Sequence, residues 1–345
     1  MMHGVRHFII EHDWLLCLVR GVYRFINRKS FEKRIHENIR TDIFDIETLA
    51  RDIPFYPVDK VIDNNYYGIS YSLKQYSGIP YFKSLDATIE HGLFLGNLVR
   101  KDDRLYHVHN ILTLGEFRKN VLTEKQINKN IIQIGTYIYY ASLILSDKEL
   151  LQLKTKLGKV LLVFPSHSTK GIDAEYDVDA LIKEIETRKS NFDNVLICLF
   201  WRDVNAKKVV ECYKKKGYLL TCAGHFYDIN FLSRLRTIIS LADMTMSNSV
   251  GTHIGYCICL NKPHYVYNQL IRKKATNDKV LQHNQSQRTE EEWISAEKNI
   301  EKIYTYFSEY RDSISEEQKY IVDEYWGISS YLSPKEIYDK LMVGK

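Results

Sequence analysis

The chain has 345 residues, 45% of them hydrophobic and 26% charged, with only 6 Pro and 16 Gly. This is the balance of a globular protein of about two domains, and it excludes collagen-like and Pro/Gly-rich disordered chains. Net charge is +5, from 48 basic and 43 acidic residues, which is too mild to point to nucleic acid, so no such partner is expected.

Cys17, Cys198, Cys212, Cys222, Cys257 and Cys259 show no C-x-x-C spacing, and the last two are too close to bridge easily. They read as reduced, mostly buried thiols of a cytosolic protein. No apolar run approaches the roughly 18 residues of a membrane span. Phe8–Ile10 is broken at once by Glu11, His12 and Asp13, with no small-residue cleavage site after it, so no signal peptide is expected.

Residues 1–50 read as one or two helices. Trp14, Leu15, Leu18, Val19, Val22, Tyr23 and Ile26 recur at helical spacing. Arg20, Arg24, Arg28, Lys29, Lys33 and Arg34 cluster on or just after that face. Such a helix commonly packs on its own domain with a solvated basic face. It also suits an anionic membrane surface, which would put the protein at the inner face of the cell membrane.

Residues 51–145 read as a first α/β domain. The expected elements are a strand at Val58–Ile62, a helix at Tyr67–Tyr76 stopped by Gly78, and an apolar segment Ala87–Leu95 that holds Glu90-His91-Gly92. Arg104–Leu112 alternates like a strand, and Asn130–Gly135 is a buried strand. A helix over 146–158 links this half to the next.

Residues 146–280 form the second domain. Strands at Lys159–Phe164, Asn194–Trp201, Tyr218–Cys222, Met244–Met246 and Pro263–Tyr267 alternate with helices at Tyr176–Arg188, Val204–Lys216, Asn230–Leu241 and Gly255–Leu260. This is the doubly wound α/β pattern, which binds ligands at the carboxyl ends of its strands. Residues 281–345 read as charged helices, with Thr289 before a Glu run as one start and a short low-complexity tract at Asn284–Gln287.

Three loops fall at that rim. Ser247-Asn248-Ser249-Val250-Gly251-Thr252-His253 places small polar residues and a Gly before a helix, where backbone N–H groups and hydroxyls can hold phosphate oxygens. Ser and Asn also cap helices for purely structural reasons, and the late βα position favours the ligand role. Pro165-Ser166-His167-Ser168-Thr169 offers hydroxyls and an imidazole to a phosphate or sugar, or forms an ordinary polar turn. Gly224-His225, with Asp228 and Arg234, is the third; Arg234 suits a phosphate or carboxylate, while Arg236 reads as a surface ion-pair partner.

In the first half, His91 beside Glu90 is the best general-base candidate, with Asp86 as a further carboxylate. No G-x-G-x-x-G, G-x-x-x-x-G-K-[ST] or G-x-S-x-G is present, which argues against dinucleotide dehydrogenases, P-loop enzymes and serine hydrolases. His3/His7 have the H-x-x-x-H spacing but lie at the N-terminus without the zincin Glu, and His107/His109 could ligate a metal from one strand face but more often mark an exposed face, so no metal or other cofactor is expected.

On Glu90-His91-Gly92, Phe164-Pro-Ser-His-Ser168, and the run from Gly224-His225 through Ser247–Thr252 to Lys262-Pro263, the chain resembles bacterial surface-polysaccharide glycosyltransferases of capsule or O-antigen type. These have two Rossmann-like domains facing across a cleft, the GT-B architecture. The resemblance covers residues 55–270. It implies a nucleotide sugar as donor substrate, a saccharide or lipid-linked saccharide acceptor, no metal, and domain closure on the donor. It also implies donor-phosphate contacts at Ser247, Ser249, Gly251 and Thr252. Many members carry a Glu shortly after the small-polar cluster to hold the donor ribose; here Thr252, His253 and Tyr256 occupy that stretch. Rivals on the same architecture are a polyol-phosphate or pyruvyl transferase and a nucleotide-sugar epimerase. A non-catalytic nucleotide-sugar-binding module is the rival outside enzymes.

Overall fold

A computed structural model describes residues 2–169, 171–277 and 289–342, with side chains from residue 5. The low-complexity tract Asn284–Gln287 and the side chain of His3 lie outside the described residues.

In chain order the strands are β1 (Ala87–Ile89), β2 (Asn110–Thr113), β3 (Asn130–Gln133), β4 (Val160–Phe164), β5 (Ile172–Glu175), β6 (Asn194–Leu199), β7 (Leu219–Cys222), β8 (Met244–Ser247), β9 (His264–Val266) and β10 (Arg272–Ala275). β1-β2-β3 form a parallel sheet in that order. A second parallel sheet has the order β7-β6-β4-β8-β9. β5 and β10 pair as a separate antiparallel ribbon. The α/β class with parallel sheets and helical extensions at both ends therefore stands.

The second sheet explains why its strands read as unbroken apolar runs. Val160, Leu162 and Phe164 of β4 point into one core, and Leu161 and Val163 into the other. A parallel strand covered on both faces has no polar side to alternate with. The first of those cores is continuous across the molecule: it joins Ile89, Leu112 and Ile132 of the first sheet to Leu162, Ile254 and Trp326. The linking helix Asp147–Leu157 starts on a reciprocal Ser146–Glu149 capping box and ends at Gly158.

Helix Glu316–Trp326 returns from the second half to the first. A side chain at Gly115 would meet the Glu324 carbonyl at 2.4 Å, and one at Gly135 the Gly327 carbonyl at 2.4 Å. Both glycines follow first-sheet strands, so the returning segment closes the carboxyl ends of β2 and β3. On the other side, a side chain at Gly255 would meet the Trp326 ring at 2.1 Å, which fixes helix Thr252–Cys259 to the same tail.

Two expected strands are corrected. Val58–Ile62 is buried but unpaired, because side chains take its amides: Asn65 Oδ1 accepts from Val58 N and Asp59 N, Ser84 Oγ from Lys60 N, and Tyr106 OH from Ile62 N. Arg104–Leu112 begins as helix Lys101–Leu105, and only its end pairs as β2. The alternation there is real, since Tyr106 and Val108 are buried and His107 and His109 exposed. It reports a coil lying on a core, with Tyr106 and Val108 packed among Ile10, Leu16 and Val61. The ribbon β5–β10 carries exposed residues and was not foreseen.

Candidate functional site

In the order β7-β6-β4-β8-β9 the chain reverses direction of winding between β4 and β8. In open α/β sheets this switch point at the carboxyl rim is where ligands bind, and here the two exit loops are tied to each other. The residues singled out from sequence meet here. Ser166 N donates to Asn248 Oδ1 at 2.6 Å, and the hydroxyls of Ser166 and Ser249 lie 2.7 Å apart.

The small polar residues divide by task. Ser247 is fully buried; its hydroxyl donates to the Ser249 carbonyl at 2.8 Å and lies 3.0 Å from His264 Nε2. Asn248, also buried, donates through Nδ2 to Gln269 Oε1 at 3.0 Å. These two shape the loop from below. Ser249, Gly251 and Thr252 are half-buried at its surface. Helix Thr252–Cys259 has no side-chain N-cap, so its first-turn N–H groups are not taken by the polar cluster. The capping explanation for this cluster thus fails.

His253 lies under the loop. Its ring stacks on Phe164 at 5.2 Å, and a side chain at Gly251 would strike it at 2.8 Å. Nε2 is buried without a hydrogen-bond partner. Burial, then the charge of nearby His167, pushes its pKa down to about 3, while a bond with the Ser249 backbone works the other way. His253 is therefore neutral at physiological pH and contributes a polar atom rather than a charge. His167 is exposed and tilts against Phe200 at 4.5 Å. Ser168 holds the loop: its N–H donates to the Asp203 carboxylate at 3.1 Å, and its Oγ accepts from Ala174 N of the β5–β10 ribbon at 3.1 Å.

The third rim element is corrected. Arg234 is fully buried and donates to the Ala223 carbonyl (2.6 Å), Asp228 Oδ2 (3.1 Å) and the Asn38 carbonyl (3.1 Å). Asn38 Nδ2 completes the cluster on Asp228 at 2.9 Å. The guanidinium clamps helix Asp13–Arg40 to the second half and cannot reach a donor. His225 is also buried, packed on Trp201 at 4.2 Å, with Nδ1 accepting from Tyr227 N at 3.2 Å. Burial, then Arg202 and Arg34, pushes its pKa down to about 3. It is a wall of the junction. Arg236 Nη1 donates to the carbonyls of Ile138, Tyr139 and Ala141, so it is a clamp on the first half, not a surface ion-pair partner.

On the first half, β1 delivers Glu90-His91-Gly92 to the same junction. A side chain at Gly92, whose φ is +82°, would lie 3.9 Å from Thr252 Oγ1. The neighbouring turn makes a second contact, with Tyr67 N donating to the Phe226 carbonyl at 2.6 Å. His91 packs against Tyr66 at 5.3 Å and Tyr67 at 5.8 Å, and its Nδ1 has no hydrogen-bond partner. Burial lowers its pKa, opposed by the charge of Asp63.

The two other expected acid/base groups are corrected. Glu90 is buried and fully engaged: Arg118 Nε and Nη2 grip its carboxylate at 2.5–3.0 Å, and Thr113 Oγ1 donates at 2.9 Å. Its partners are Arg118 and Thr113, and no hydrogen bond joins it to His91. Asp86 precedes β1, at the amino end of the sheet, and is bonded to the backbone N (3.2 Å) and Nδ1 (2.6 Å) of His109. The carboxylates that His91 does feel are Asp63 first and Asp103 after it. Burial would raise the pKa of Asp63, but Arg100, His91 and Arg6 lower it, and Arg100 Nη1 donates to Asp63 at 2.5 Å. No sequence signal marked Asp63, because it follows the mistaken strand.

Arg202 was legible and overlooked. It follows β6 at the carboxyl rim, where the rule applied to the other loops already points. It is half-buried, its guanidinium lies 4.4 Å from the Trp201 ring centre, and its charge acts on both Tyr67 and His225. Among the described residues no carboxylate pairs with it. The junction thus holds a cation, two hydroxyl-bearing loops, a free helix start and a neutral imidazole. Such a set can bind a phosphate group and accept a proton beside it. Among the described residues, no group of three or more His, Cys, Asp and Glu side chains converges as metal ligands would.

No protein-family model matches the chain, and no curated protein matches it. Among solved structures it is similar to the wall teichoic acid polymerase TagF, at 10% identity and a TM-score of 0.37 over 67% of this chain. The chain spans 55% of that polymerase. It is also similar to a UDP-GlcNAc 2-epimerase from Neisseria meningitidis bound to UDP-GlcNAc, at 16% identity and a TM-score of 0.35, covering 84% of this chain and 81% of that one. Both superpositions are loose.

Proposed function

We propose that the chain is a glycosyltransferase that takes a sugar from a nucleotide sugar and passes it to a surface-polysaccharide acceptor, of which a lipid-linked saccharide is one form. The observation that carries this reading is the meeting of the β4 and β8 exit loops, through Ser166, Asn248 and Ser249, with Gly92, the residue after His91, against Thr252. The donor diphosphate would sit over Ser249, Gly251 and Thr252 at the open helix start, with Arg202 as its cation. Opposed helix dipole and guanidinium charge stabilise a phosphate leaving group as negative charge builds on it. His91 would take the proton from the acceptor hydroxyl. Its environment keeps it neutral, as a base must be, and its Nδ1 is unengaged.

The test is incubation of the full chain with each of the common nucleotide sugars, with and without saccharide acceptors, followed by mass spectrometry. Release of nucleoside diphosphate with a glycosylated acceptor, abolished by His91→Ala, supports transfer. Conversion of the donor sugar with no acceptor present would replace this reading with epimerisation. Neither reaction with any donor would overturn it.

A further inference from the structure

We propose that the outer face of helix Asp13–Arg40 docks the protein on an anionic lipid bilayer. Trp14, Leu18, Val22, Phe25 and Ile26 fall on one side of this helix, at the i, i+4, i+8, i+11 and i+12 positions. They are exposed to 67%, 57%, 49%, 87% and 68% respectively, although the same helix buries Leu16, Phe31 and Asn38 on its inner side. Large apolar groups at such exposure on a single stripe are not a solvated face.

The same side becomes cationic one turn later. Lys29 and Lys33 continue the stripe and are exposed, and no carboxylate among the described residues pairs with Lys29. Arg28 flanks them and is shared with Glu32. The inner basic residues are accounted for separately. Arg20 donates to the Val58 carbonyl, Arg24 lies over Tyr56 at 5.5 Å, and Arg34 pairs with Glu37 at 2.5 Å. So the basic cluster read from sequence splits: Arg20 and Arg24 fasten the helix down, Arg34 pairs within the helix, and Arg28, Lys29 and Lys33 stand outward beside the apolar stripe.

An apolar stripe that ends in exposed lysines complements a bilayer, whose interior takes the aromatic and aliphatic groups and whose anionic headgroups take the ammonium groups. No helix among the described residues is long and apolar enough to cross a membrane, so the contact would lie in the interface plane.

The test is sedimentation of the full chain with vesicles of phosphatidylcholine alone and of phosphatidylcholine with 30% phosphatidylglycerol, an amount of about one headgroup in three chosen to give a negative surface potential. Binding is expected to the anionic vesicles, weakened by salt. Lys29→Glu with Lys33→Glu should weaken it more than tenfold, at roughly a factor of five or more per lysine. Phe25→Ser with Leu18→Ser should reduce it by at least as much. Circular dichroism spectra and melting curves of these variants without ligand, matched to the parent, show that they fold and keep this outcome separate from the transferase reading. Equal binding to both vesicle types, binding unchanged in both variants, or self-association through this face without vesicle binding would each overturn the proposal.

Discussion

The two parallel sheets end in different ways at the same topological place. At the carboxyl ends of β2 and β3, Gly115 and Gly135 are pressed by the backbone of Glu324 and Gly327, so the chain's own tail fills the rim. At the carboxyl ends of β4 and β8, the rim consists of half-buried Ser166, Ser249, Gly251 and Thr252, with an uncapped helix behind them. The loop of β1 is the part of the first rim left open, and it faces the second. A doubly wound sheet offers a ligand site at the carboxyl rim of its strands, but only where nothing in the fold already occupies it. The difference teaches which half of a familiar pattern to treat as functional.

That comparison can be broken most severely at His91. If it is the base, His91→Ala should lower turnover by about two to four orders of magnitude. It should cost only about 1–3 kcal/mol of stability, from the packing lost against Tyr66 and Tyr67, too little to account for such a loss of turnover. Steady-state transfer rates and a melting curve on the same preparation decide it. A variant with full turnover would remove His91 from the chemistry.

Arg234→Ala should behave in the opposite way. It leaves Asp228 buried without its cation, which costs about 3–5 kcal/mol of stability. Nucleotide affinity of the folded fraction should be unchanged. Chemical denaturation with parallel binding measurements would show this, and weaker binding without lost stability would return Arg234 to the donor site.

Filling the sealed rim is the next smaller effect. Gly115→Ala places a methyl group 2.4 Å from the Glu324 carbonyl oxygen, and such overpacking costs about 1–3 kcal/mol. At the open rim Ser249→Ala should cost little stability, yet weaken a nucleoside diphosphate by about 1.5 kcal/mol, as for a lost bond to a charged group. If both substitutions had the same signature, the contrast between the rims would be wrong.

Acid should weaken the junction as a whole. His225 and His253 have folded pKa values of about 3 against an ordinary 6.5, and burial is the main cause for both. Below about pH 6.5 the unfolded chain takes up these protons and the folded chain does not. Stability from these groups is therefore complete above that pH and falls steadily toward pH 3. His264, also buried and lowered, adds to the slope. Denaturation midpoints that stay level between pH 6.5 and 4.5 would contradict the neutral state assigned to these rings.

How far the sequence could be read follows from what its patterns report. The second sheet was legible nearly to the residue, because strands covered on both faces are apolar throughout and are punctuated by Gly217 and polar exits. The two lost strands, Val58–Ile62 and the start of Arg104–Leu112, failed because burial was mistaken for pairing; amides capped by Asn65, Ser84 and Tyr106 leave no trace in a hydropathy pattern. At the site, the loops of Ser166 and Ser249 were found since position on the rim is implied by strand order. Glu90, Arg234 and Asp86 went astray because a charged residue near a rim looks alike whether it faces a ligand or, as here, Arg118, Asp228 and His109. Partners distant in sequence settle that question, and only the fold supplies them.

The most direct measurement is a thermal-shift series with CMP, CDP, UDP, GDP and TDP on the parent, Ser249→Ala and Arg202→Ala. A site at the β4–β8 rim predicts a clear rise in melting temperature with one diphosphate, reduced in both variants, since a ligand bound only by the folded state stabilises it by mass action. A shift of equal size in all three proteins, or none with any nucleotide, would contradict the placement of a nucleotide at this rim.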